Sequence, residues 1–196
     1  MKKSADKTTQ TKTDIQDAFW HLYSKQPIES ITVQNLCDTA GYNRSTFYLH
    51  FHDMYELLDS IEDEQLCGMK NCAEACLKKV SKTKSKMVRV LALKEAVSYY
   101  DKNEKYIKVL LGEKSDPAFI VRLKDELKPL WREYVVAPNL DESRSEEEID
   151  LLLEYTLSGS LFMISMWFKN PGDVSAMQLG HLIYDLAIRD ISARIS

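Results

Sequence analysis

The chain has 196 residues, with 26 Lys and Arg against 30 Asp and Glu and a formal charge of −4. With 44% hydrophobic and 29% charged residues it has the make-up of an ordinary folded protein, which excludes a disordered or collagen-like chain. Six Gly and five Pro are too few turn residues for a many-stranded sandwich or barrel, so an all-α fold is expected.

The first twelve residues carry Lys2, Lys3, Lys7 and Lys12 against Asp6 and read as a disordered basic tail, 1–12. Helical period begins at Thr13: Ile15, Ala18, Phe19, Leu22 and Tyr23 recur on one face until Gln26-Pro27 stops them. Thr32 is a good N-cap for a short helix, 33–40, that Gly41 closes in the left-handed conformation. Asn43 caps a third helix, 44–51, in which Phe47 and Phe51 share a face. Asp53 then opens a long helix to about Val80. Residues 78–89 hold six Lys/Arg and no acid, and read as a solvated connector. Further helices are expected over 87–102, 104–112, 117–136, 145–169 and 174–194, punctuated by Pro117, Pro138 and Pro171-Gly172.

Residues 32–51 have helix-turn-helix spacing, in which the second helix enters the DNA major groove. Leu36, Cys37, Ala40, Phe47 and Phe51 can pack together and hold the pair at a fixed angle. Asn43, Arg44, Ser45 and Thr46 are short or planar, as base-edge readers must be. Arg44 carries the fork that pairs with guanine O6 and N7. Thr32, Tyr48 and His50 can reach phosphate oxygens.

On these residues the stretch 13–64 resembles the N-terminal domain of TetR/AcrR-type transcriptional regulators. The resemblance rests on Ile15-x-x-Ala18-Phe19, Ile31-Thr32-Val33-x-x-Leu36-Cys37-x-x-Ala40-Gly41, and Ser45-Thr46-Phe47-Tyr48-x-His50-Phe51-x-Asp53, leading to Leu57-Leu58. It implies a three-helix helix-turn-helix head (13–60) and a helical-bundle body (61–196) for ligand binding and dimerisation. It places Thr32, Gln34, Asn43, Arg44, Ser45, Thr46, Tyr48 and His50 toward DNA. Met54 stands where family members often carry a phosphate-binding Lys, a loss that His52 or Lys12 can offset. Residues 1–60 hold six Lys/Arg and eight Asp/Glu, a net of −2, which is acidic for a DNA-binding head.

In the body, Tyr99, Tyr100, Tyr106, Phe119, Trp131, Tyr134, Tyr155, Phe162 and Met166 are candidates for an apolar effector pocket, with ordinary core packing as the competing reading. The last two helices are apolar on most sides and suit a homodimer interface, with Leu153, Leu157, Leu161, Ile164, Phe168, Leu182 and Leu186 as candidates. Cys72 and Cys76 lie about 40° apart on the fourth helix, with Cys67 about 140–180° away, so three thiolates cannot converge on one metal. They read as packing cysteines. No metal or cofactor is called for, and no Gly-x-Gly-x-x-Gly, Gly-x-Ser-x-Gly or His-Glu-x-x-His motif points to an enzyme. The polar start and the four cysteines suit the cytoplasm. The expected function is a ligand-responsive regulator that binds a double-stranded DNA operator as a homodimer and is released by a small molecule. The alternative is a helical protein-interaction adaptor with weak or lost DNA binding.

Overall fold

The computed structural model describes residues 2–83, 85–112, 115–137 and 144–189. They are helical with no strand, in two compact units, Met1–Glu64 and Gln65–Ser196.

The first unit contains α1 (Lys2–Tyr23), a 3-10 turn (Ile28–Ser30), α2 (Val33–Ala40), α3 (Arg44–Tyr48) and the start of α4 (Met54–Ser81). The expected disordered tail is corrected here: α1 already begins at Lys2. Residues 2–12 contain neither Gly nor Pro, so once the packed half of the helix is nucleated, each further residue propagates it at little cost. Thr11 is buried, and Lys12 pairs with Glu64 at 3.4 Å and lies 5.9 Å from the Phe51 ring centre. Lys12 is therefore engaged within the unit.

The remaining ends follow from local chemistry. Thr32 Oγ1 accepts the Asn35 N–H at 3.1 Å and starts α2. Gly41 ends it at φ 74°, where a Cβ would meet no neighbouring atom, so the need for glycine is conformational. The third helix stops at Tyr48, earlier than the expected Phe51; the His50 and Phe51 N–H groups both turn back to the Phe47 carbonyl, at 2.9 and 3.0 Å. Asp53 Oδ1 accepts the N–H groups of Tyr55 and Glu56, both at 2.9 Å, and caps α4. Ile15, Phe19, Leu36, Phe47, Leu57 and Ile61 form the core, each contributing on the order of 1.5–3 kcal/mol by leaving water.

The second unit contains the rest of α4, α5 (Lys86–Leu110), α6 (Pro117–Trp131), α7 (Glu146–Lys169) and α8 (Ala176–Ile183). The basic connector is mostly helix ends, since α4 runs to Ser81 and α5 starts at Lys86. Lys79 is ion-paired with Glu95, and Arg89 lies over the Tyr184 ring at 5.5 Å. One helix, α5, replaces the two expected over 87–112; the Asn103 side-chain NH2 donates to the Tyr99 carbonyl one turn back, at 2.9 Å. In α6, Asp116 caps and Pro117 opens the first turn, while Pro129 sits inside. Pro129 supplies no N–H, and three residues beyond it the helix widens into a π turn, Arg132–Val136. Capping boxes at Ser145/Glu148 and Ser175/Gln178 start α7 and α8. A second π turn, Tyr184–Arg189, follows α8, and the remainder of the expected 174–194 helix lies outside the described residues.

Candidate nucleic-acid interface and ligand cavity

The α2–turn–α3 pair is held from behind. Phe47 and Leu36 are fully buried, the Phe47 and Phe51 ring centres are 5.9 Å apart, and the Tyr42 hydroxyl donates to Asp14 Oδ2 of α1 at 2.7 Å. That bond, with a second from Gln10, holds the Asp14 carboxyl below the usual carboxylate range. The opposite side is open. Thr32, Gln34, Asn43, Arg44, Ser45, Tyr48 and His52 are exposed, and Thr46 and His50 are half-buried.

Local bonds decide what these groups can offer. Asn43 Oδ1 accepts from Ser45 Oγ at 2.6 Å, the Thr46 N–H at 2.8 Å and Thr46 Oγ1 at 2.9 Å. The two hydroxyl protons are thereby turned inward, leaving lone pairs outward, while the Asn43 NH2 remains a donor. Gln34 donates to Asp38 at 2.8 Å. The His52 N–H is bonded to the Glu56 carboxylate. Among the described residues Arg44 has no ion-pair partner, so its planar fork is available for bidentate recognition. Met54 is buried, so the position that often carries a phosphate-binding Lys belongs to the core in this chain. Sequence reasoning passed over Leu49, which is 83% exposed beside Tyr48. Its spacing of four from Ser45 was the available signal.

The second unit carries a partly open cavity of about 290 Å³, with walls from α4 to α8. Among the described residues no charged side chain lines it. Its polar atoms belong to Cys72, Cys76, Tyr99, Tyr100, Trp131, Trp167 and Tyr184. Burial pushes the Cys72 thiol up and the Cys76 thiol to about 11, so both are neutral packing groups rather than nucleophiles. Cys67 is exposed, and among the described residues no group of three His, Cys, Asp or Glu could hold a metal. Burial also raises Tyr99 and Tyr100, and the Tyr100 hydroxyl donates to Glu104 at 3.1 Å. Among the described residues the buried Trp131 indole N–H has no partner.

Of the candidate pocket residues, Tyr99, Tyr100 and Trp131 line this cavity. The others do not, and are corrected. Phe119 is fully buried in the core, Tyr106 lies against Lys105, and Tyr134 is bonded to Glu133. Tyr155, Phe162 and Met166 are 72%, 66% and 50% exposed on the outer face of α7. The candidate interface residues are also redistributed. Leu153 and Leu157 are packed inside the unit and offer no surface to a partner. Leu161, Ile164 and Phe168 line the cavity, while Leu182 and Leu186 are about half exposed. The outward stripe of α7 is Leu151, Tyr155, Gly159, Phe162 and Met166. Because α7 is apolar on most sides, periodicity alone could not tell its inner face from its outer one.

Comparison with known proteins agrees with this anatomy. Residues 15–61 match the family model described as bacterial regulatory proteins, tetR family, and residues 91–189 match that of a transcriptional regulator C-terminal region. No curated protein matches the chain. The fold is similar to that of a TetR transcriptional regulator from Streptococcus agalactiae, at 23% identity and a TM-score of 0.63, over 95% of this chain and 98% of that one. It is also similar to that of the TetR family regulator PfmR from Thermus thermophilus, at 20% identity and a TM-score of 0.59, over 89% and 97%. With a helix-turn-helix unit followed by a helical body, both matched by models of regulator families, the chain belongs to the TetR family of DNA-binding transcriptional regulators and is not an enzyme.

Proposed function

We propose that this regulator is a homodimeric repressor, released from a pseudo-palindromic operator by an uncharged, mostly apolar small molecule. The observation that carries the proposal is the cavity: a space of about 290 Å³ with no charged side chain on its walls among the described residues. A charged effector would lose its hydration there without a counter-charge, at a cost of several kcal/mol. An uncharged one loses little and gains apolar burial.

The route from cavity to DNA is α4. It is one uninterrupted helix whose first turns supply Leu57 and Ile61 to the head core and whose later turns supply Met69, Cys72, Cys76 and Val80 to the cavity wall. A ligand that favours one position of this helix shifts the population of head arrangements, provided its affinity differs between the two states. Thr32, Gln34, Asn43, Arg44, Ser45, Thr46, Tyr48, His50 and His52 form the DNA face in this reading. Two copies meet through the outward stripe of α7 together with Leu182 and Leu186, since an exposed apolar stripe of this length on a capped helix marks an interaction surface. A two-fold dimer reads a two-fold operator. The site of action is the cytoplasm.

The test is selection of bound DNA from a random pool, repeated with uncharged aromatic and aliphatic compounds. Enrichment of a palindrome that such a compound releases supports the reading. Enrichment of a single unrepeated half-site, or release only by charged compounds, overturns it.

A further inference from the structure

We propose that Leu49 is a base-reading side chain, packing against the 5-methyl group of a thymine in the major groove. The inference rests on the DNA-reading role of α3 and goes beyond it by assigning a specificity contact.

Leu49 is the most exposed large apolar side chain among the described residues, at 83%. Its backbone, at φ −76° and ψ −21°, continues the helical geometry of α3. Ser45, Tyr48 and Leu49 therefore project within about 100° of one another around the helix, with Ser45 and Leu49 stacked at a spacing of four and Arg44 at the edge of this face. Phe47 lies about 160° around the helix from Ser45 and Leu49 and is buried, as is Phe51 beyond the helix end. An apolar side chain amid polar readers leaves its burial energy unused in the free protein. Its occupant must offer an apolar group within a polar, anionic surface. Among the base edges of the major groove, that group is the thymine methyl. The charge of the unit favours such a contact further. Residues 1–60 carry a net −2, and the buried Met54 adds no cation, so ion-pair contacts to phosphate are few and a salt-independent contact takes a larger share of affinity.

The experiment replaces each thymine of a selected operator, one at a time, by deoxyuridine, which removes only the methyl group. Binding is followed by fluorescence anisotropy at several salt concentrations. For wild type, one thymine per half-site is expected to matter, with a loss of about fourfold per half-site, the equivalent of ~0.8 kcal/mol for one buried methyl. Leu49→Ala is expected to bind the thymine and deoxyuridine operators equally, with an unchanged slope of log Kd against log salt and an unchanged melting temperature. The inference is overturned if no thymine methyl matters to wild type, or if Leu49→Ala keeps the discrimination. A loss of dimerisation in Leu49→Ala overturns it too, since the side chain would then serve a protein contact. Arg44→Ala separates the levels. If it weakens binding while deoxyuridine is silent, only the Leu49 assignment fails. If it also leaves binding unchanged, α3 is not the reading element.

Discussion

Gly68 and Tyr99 form a contact whose energetics can be worked from geometry. Gly68 lies in the middle of α4, where alanine would be favoured by about 0.8–1 kcal/mol on helix propensity alone. A Cβ at this position would fall well inside van der Waals contact with the Tyr99 hydroxyl oxygen, while the ring carbons Cζ and Cε2 would lie at 3.2 and 3.4 Å. Gly68→Ala therefore pushes Tyr99 off its place on the cavity wall, and overpacking of this kind costs about 1–3 kcal/mol. The net expectation is a destabilisation of up to roughly 2 kcal/mol. Removing the hydroxyl changes the balance. In a Tyr99→Phe background only the ring carbons remain close, a shift of a few tenths of an ångström suffices, and Gly68→Ala becomes stabilising by up to about 1 kcal/mol. The assay is urea unfolding of the four proteins at one protein concentration, because a dimer's stability depends on it. A coupling on the order of 1–3 kcal/mol is expected between the two sites. An equal effect of Gly68→Ala in both backgrounds would refute the reasoning.

The other predictions concern each unit and the dimer. Phe47→Ala removes a fully buried ring from the head and is expected to cost about 3–5 kcal/mol, abolishing DNA binding while the body keeps its helical circular-dichroism signal; retained operator binding would contradict it. Tyr42→Phe is expected to raise the Asp14 pKa by deleting its strongest hydrogen bond. Because the folded carboxyl is depressed, its stabilising contribution is present above the unfolded value of ~3.9 and is lost as the pH falls through the folded pKa. Carbon-detected titration of Asp14, with unfolding measured from pH 6 down to pH 2, checks both the shift and a smaller acid loss in the variant. Tyr155→Asp with Phe162→Asp places charge on the outward stripe of α7 and is expected to give a folded monomer by analytical ultracentrifugation. The double change Leu153→Ala with Leu157→Ala is expected to cost about 4–10 kcal/mol and unfold the body instead, since both side chains are internal.

The head was legible because its signals are local. Thr32, Gly41, Asn43 and Asp53 each act on backbone groups within four residues, and all four take up the capping geometry expected of them. Phe47 and Leu36 declare the inner face by being the large apolar groups on short, otherwise polar helices. What stayed hidden depended on distant packing. The helical state of residues 2–12 follows from propagation of a helix anchored elsewhere, which a polar composition conceals. Nothing in the spacing of Tyr155, Phe162 and Met166 separates them from Leu153 and Leu157, since both sets are apolar at helical period and only the neighbouring helices decide which turns inward. For the same reason the cavity walls include Leu93, Ala96, Leu161 and Ile164, small or aliphatic residues that no search for aromatic groups would have chosen. The π turn after Pro129 likewise reflects how individual backbone bonds are satisfied.

The central claim is that a ligand held in the charge-free cavity and an operator held by the head oppose one another through α4. Its most direct measurement is operator affinity with and without an uncharged compound shown by crystallography to occupy the cavity, and compound affinity with and without operator. Linkage requires the two factors to be equal, and a value of roughly 5–150-fold weakening in each direction is expected. Operator affinity unchanged by a compound that fills the cavity would contradict the account.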